Sequence, residues 1–174
     1  MGSDSLCTLR EAIANANDDA ATYGDCAAGS GPDTITFAPA LANGVINLST
    51  IGDTTWGPSA LRVDSAIILD GSSAPGLTLA RVVSGSEMRL FFVAATGNLT
   101  LRHLALRDGL AQGGDGAPSG LSILGGPGGG AGGGAAGLGG AIFNQGTVAL
   151  EFSVLHNNEA RGGNGGGIAY TTSQ

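Results

Sequence analysis

The sequence contains no lysine. Its seven cations are all arginines, against fourteen carboxylates, and the net charge is −7 over 174 residues. Nucleic-acid partners require cations clustered against phosphate, so this balance argues against them and against a polybasic membrane contact. Long apolar runs are missing too, and none approaches the roughly 18 residues needed to span a bilayer as a helix. Met1, Gly2, Ser3 and Asp4 lack the charged and apolar regions of a signal peptide, so an exported chain would already have lost its signal. Leu6 stands where a myristoylation pattern needs Ser or Thr. There are only two cysteines, Cys7 and Cys26. A disulfide between them would stabilise by about 3 kcal/mol in an oxidising compartment, but two unrelated buried thiols fit the spacing equally well. With His103 and His156 so distant in sequence, no metal site is expected.

Glycine, by contrast, is abundant. The 33 glycines concentrate after Gly109, and they help to mark an internal repeat. GNLTLRHLALRDGLAQGGDG, starting at Gly97, returns as GTVALEFSVLHNNEARGGNG, starting at Gly146. At one constant offset Leu101 meets Leu150, Leu106 meets Leu155, and Gly113, Gly114 and Gly116 meet Gly162, Gly163 and Gly165. A unit of this size cannot bury its own apolar face, so the repeat implies neighbours stacked along one axis.

Thr8 and Glu11 stand in the capping-box relation, and Leu9, Ala12, Ile13 and Ala16 follow at helical spacing, which predicts a first helix with one apolar stripe. From Thr34 the pattern becomes short strands between turn residues: TITF at 34–37, VINL at 45–48, AIIL at 66–69, LTLARVV at 77–83, LFFVAA at 90–95, NLTL at 98–101 and LALR at 104–107. AIFN at 141–144, TVAL at 147–150 and SVLH at 153–156 repeat the last three. The expected fold is an all-β solenoid, a parallel β-helix in which each coil gives about three strands to three parallel sheets, with the helix as N-terminal cap. In domain terms, residues 1–33 form the cap and the Cys7 to Cys26 loop, and residues 34–174 form the coils. A glycine-rich insertion at about 113–140 reads as a flexible loop ejected from one corner, with an ordered glycine layer as the alternative. A further coil begins at Ile168 and stops, leaving an uncovered sheet edge, so the chain is expected to be part of a longer protein whose further coils are its neighbours.

Cys7-Thr8-Leu9-Arg10-Glu11-Ala12-Ile13 resembles the CSLREA motif that opens many bacterial secreted or surface proteins, with Thr8 in place of Ser. Gly139-Gly140-Ala141-Ile142 and Leu155-His156-Asn157-Asn158 resemble the GGAI and FxxN signatures of polymorphic outer-membrane protein repeats, with Leu155 in place of Phe. The resemblance implies a right-handed parallel β-helix of pectate-lyase-like architecture, exported to the cell surface, outer membrane or medium. It carries no general catalytic assignment.

β-Helix enzymes acting on polysaccharides use carboxylates on adjacent coils as an acid and base pair or as Ca²⁺ ligands. The catalytic candidates are Asp64, Asp70 and Asp108, with Arg102 or Arg107 as the cation. Asp70-Gly71 and Asp108-Gly109 each end a strand, where Asp before Gly also serves a turn. His103 occupies the repeat position of Phe152, which suits filling space. GGDG and GGNG lack the Asp that a calcium-binding nonapeptide needs next. Trp56, Tyr23 and Tyr170 are the aromatics suited to stacking on a sugar. No cofactor and no metal are expected. The leading expectation is a non-enzymatic secreted or cell-surface module with an adhesive or structural role, its partner a polysaccharide or cell-surface glycan. The alternatives are a polysaccharide lyase or hydrolase needing two of the three aspartates in one groove, and a glycan-binding module using Trp56.

Overall fold

The computed structural model describes residues 6–120 and 130–167; the coil expected from Ile168, Tyr170 and the first five residues lie outside them. The chain opens with α1 (Leu9–Asp18). The Thr8 hydroxyl accepts the Glu11 N–H, and the Glu11 carboxylate accepts the Thr8 N–H at 3.0 Å, closing the capping box read from the sequence. Asp19, in the left-handed conformation at φ 49°, ends the helix. Ile13 and Ala16 enter the core, while the amide of buried Asn15 donates to the carbonyls of Tyr23 and Ala27. A disulfide joins Cys7, just before the helix, to Cys26 in the loop after it.

Thirteen strands follow among the described residues: β1 (Asp33–Thr36), β2 (Val45–Leu48), β3 (Ser59–Val63), β4 (Ala66–Asp70), β5 (Thr78–Arg81), β6 (Arg89–Val93) and β7 (Asn98–Arg102), then β8 (Ala105–Arg107), β9 (Leu110–Gln112), β10 (Ile142–Asn144), β11 (Thr147–Glu151), β12 (Val154–His156) and β13 (Glu159–Arg161). They pair in parallel in four sheets, ordered β1-β4-β7-β11, β10-β6-β3, β12-β8-β5-β2 and β13-β9. The offset of the sequence repeat is also the register of pairing. Thr147 lies beside Asn98, Val154 beside Ala105 and Glu159 beside Leu110. Alternate strand positions, including Ile67, Leu69, Leu99 and Leu101, point into one core that Leu61, Leu79, Phe91 and Leu106 complete.

This arrangement corrects the expected fold class. Among the described residues four discrete parallel sheets stand where three were expected, no closed solenoid or right-handed parallel β-helix is shown, and α1 packs on β1, β3 and β4, so the fold mixes helix and strand rather than being all-β. The strands are three to five residues long, and left-handed corner residues, His103, Asp108, Phe152 and Asn157, interrupt the ladders between them. The fourth sheet, β13-β9, arises from LAQ and EAR, segments too short to show periodicity.

Glycine shapes the edge of the molecule. Among the described residues, segments 113–119, 130–137 and 162–167 bond to one another through their backbones: Ala135 N–H to Gly114 O, Gly163 N–H to Ala135 O, Gly116 N–H to Asn164 O and Gly166 N–H to Gly132 O, at 2.7 to 2.8 Å. A Cβ at Gly163 would overlap the Gly114 carbonyl, and one at Gly134 would overlap that of Gly163. Here glycine is required by close backbone approach. Over the described part of the tract this is the ordered-layer alternative.

Candidate functional site

The three candidate aspartates occupy three different settings. Asp64 directly follows β3, where Arg62, two residues earlier on the same strand face, donates from Nε to both its carboxylate oxygens at 2.9 and 2.7 Å. Arg62 Nη1 also reaches Asp53 at 3.1 Å, so one guanidinium lies between two carboxylates, which raise its pKa, Asp64 most strongly. The Asp64 backbone N–H donates to Asn17 of α1 at 2.9 Å, tying β3 to the helix.

Asp70 ends β4 and turns back on its own loop. Its carboxylate accepts the Ser72 N–H at 2.9 Å, and this bond, followed by the Ser72 side chain, holds the Asp70 pKa below the usual carboxylate range. Across the sheet it stands in register with Arg102 of β7, which stands in register with Glu151 of β11. Arg102 Nε donates to Glu151 at 2.6 Å, raising the arginine's pKa. Asp108 lies at the corner between β8 and β9 with φ 63° and pairs with Arg107. Its carbonyl accepts from buried Arg81 at 2.7 Å.

The histidines and aromatics divide between two faces. His103 and Phe152, both at left-handed corners, stack with ring centroids 5.0 Å apart and planes 9° from parallel, and Phe152 is 84% exposed. On the β10-β6-β3 sheet, Arg62, Phe92 and Phe143 lie in one line of register. Phe143 stacks on Phe92 at 5.9 Å and meets Trp56 at 6.0 Å, and Trp56 remains half-exposed. The guanidinium of buried Arg89 sits 5.2 Å from the Phe143 ring and donates from Nη2 to the Trp56 carbonyl at 2.9 Å.

Several of these partners escaped sequence reasoning. Asp53 and Arg62 carried no motif, although Arg62 and Asp64 have the spacing that puts two side chains on one strand face. Arg102 and Glu151 are matched by the repeat offset, which was the available signal. Asn158, singled out within Leu155 to Asn158, staples a corner: its side-chain oxygen accepts the Gly109 N–H at 2.8 Å and its amide donates to Leu106 O at 3.0 Å.

Among the described residues, no three of His, Cys, Asp and Glu come together as metal ligands, and no helix is long and apolar enough to cross a membrane. No protein-family model matches the chain, and no curated protein or solved structure shows significant similarity to it.

Proposed function

We propose that this chain is a non-enzymatic module of a secreted or cell-surface protein with an adhesive or structural role toward a polysaccharide or cell-surface glycan. The observation that carries this reading is the engagement of the three candidate aspartates in separate structural tasks. Asp64 is held by Arg62, Asp70 by its Ser72 turn and Asp108 by Arg107 at a corner. A carboxylate serving as general acid or base must instead present itself to a substrate beside a partner of different pKa. The Cys7–Cys26 disulfide supports an oxidising compartment, where such bonds persist. The resemblance of Cys7 to Ile13 to the CSLREA motif supports a bacterial surface or secreted origin.

The test is incubation of the intact chain, with and without calcium, against neutral and acidic polysaccharides. New reducing ends and unsaturated products are assayed beside enzymes that digest the same panel. The proposal expects polymer retention without new ends. Cleavage abolished by Asp64→Ala or Asp70→Ala in a folded chain would establish the lyase or hydrolase reading in its place.

A further inference from the structure

A groove of about 380 Å³ lies between α1 and the segment leading to β3, with Arg10, Asn17, Tyr23 and Arg62 in its walls. This volume is in the range of small-ligand clefts. Arg10 distinguishes it. Four of the seven arginines, Arg62, Arg102, Arg107 and Arg161, pair with carboxylates, and two are buried, Arg81 donating to backbone carbonyls and Arg89 bonding only through Nη2, to the Trp56 carbonyl, with its guanidinium against the Phe143 ring. Arg10 is half-buried and joins no ion pair among the described residues, although the chain carries twice as many carboxylates as cations.

The guanidinium is held in place rather than free to swing. Nη2 donates to the Thr50 carbonyl at 2.8 Å and the Thr50 hydroxyl at 3.1 Å, and the group lies so close over Gly52 that a Cβ there would overlap it. Burial lowers the Arg10 pKa, opposed only by the Tyr23 phenol. The Tyr23 backbone is anchored beside the groove, because its N–H donates to the Asn15 side-chain oxygen at 2.8 Å. The second cation of the groove, Arg62, is neutralised by Asp53 and Asp64, so the uncompensated charge is that of Arg10. A fixed, partly desolvated guanidinium in a groove that an aromatic side chain also lines suits a ligand with a carboxylate on a ring that bears hydroxyls.

We propose that this groove binds a carboxylated sugar residue, with the carboxylate received by Arg10 and the sugar ring set against Tyr23. The site deepens the surface-module reading and rests on it for the presence of glycan. Arg62 also lies 5.4 Å from the Phe92 ring, so the groove borders the face that carries Phe143 and Trp56. A longer saccharide has an aromatic surface to continue along.

The test titrates the intact chain with methyl glucuronide, methyl glucoside and acetate, following binding by calorimetry and by backbone NMR. The two glycosides differ only in the carboxylate. The proposal expects the glucuronide to bind at least tenfold tighter than the other two and to shift the Tyr23 and Gly52 signals. Arg10→Gln should lose tenfold or more, Tyr23→Ala severalfold, and Arg161→Gln nothing. Equal binding of glucuronide and glucoside, equal binding of acetate, or shifts confined to another face would overturn it. The NMR mapping needs no variant, so it decides even if Arg10→Gln fails to fold. Cleavage in the polysaccharide panel would overturn the non-enzymatic reading while leaving this groove to stand or fall on the titration.

Discussion

Residues 97–112 and 146–161 are two copies of one pattern, and their side chains meet opposite fates. Leu99, Leu101 and Leu106 are 0% exposed, whereas their repeat mates Val148, Leu150 and Leu155 are half-buried or exposed, Leu150 at 48%. Their strands pair in register, so local conformation does not separate them. What differs is the neighbourhood. Among the described residues, the strands β7 and β8 have partners on both sides, while β11 and β12 are edge strands. Burial here is a property of position in the sheet, and the apolar pattern alone specifies only which face would be buried.

Breaking the comparison in its core should have the largest effect. Leu101→Ala and Leu106→Ala should each cost about 3 kcal/mol or more through lost burial and a residual cavity. Leu150→Ala and Leu155→Ala should cost under about 1 kcal/mol, because those side chains have less to lose. Chemical denaturation of the four variants checks the split. A similar effect comes from the other end, which α1 covers. Reduction of Cys7–Cys26, or replacement of both cysteines by Ser, should remove about 3 kcal/mol and lower the melting temperature, with little change in the spectrum of the strands.

The glycine layer sharpens the same contrast. Gly114 and Gly163 are repeat mates, but a Cβ at Gly114 meets nothing within 4 Å, while one at Gly163 overlaps backbone. Gly163→Ala should destabilise by roughly 1–3 kcal/mol and Gly114→Ala hardly at all, as thermal melts would report. The smallest expected effect is at Asp70. Its pKa is depressed in the folded state, so its contribution is present at neutral pH and disappears as the pH falls through the folded-state pKa. Asp70→Asn should therefore lower the melting temperature slightly at neutral pH and not at all once the parent carboxyl is protonated.

The comparison also marks what the sequence made legible. The helix could be read because Thr8 and Glu11 form a reciprocal cap that depends only on local spacing. The strands Val45–Leu48 and Asn98–Arg102 could be read because their apolar residues alternate or are β-branched. Ser59–Val63 gives no such signal, since its outward position is an arginine held by carboxylates from two directions. The strands β9 and β13 are silent in the sequence because three residues cannot display a period. Closure into one solenoid was an extrapolation from periodicity, and corners with positive φ at non-glycine residues, His103 and Phe152 among them, give no signal in composition. At the candidate site the aspartates were visible as residue types. Their partners were set by tertiary neighbours, as with Asp53 reaching Arg62, and the same holds for Arg10, a half-buried cation that no local pattern marks as lying in a groove.

The most direct test of the central claim, that position in the sheet and not residue type decides burial, is amide hydrogen exchange of the intact chain resolved to individual strands. Slow exchange through residues 98–111, with exchange many times faster in 147–160, is the predicted result. Equal protection of the two copies would contradict it, because the second copy would then be covered as fully as the first.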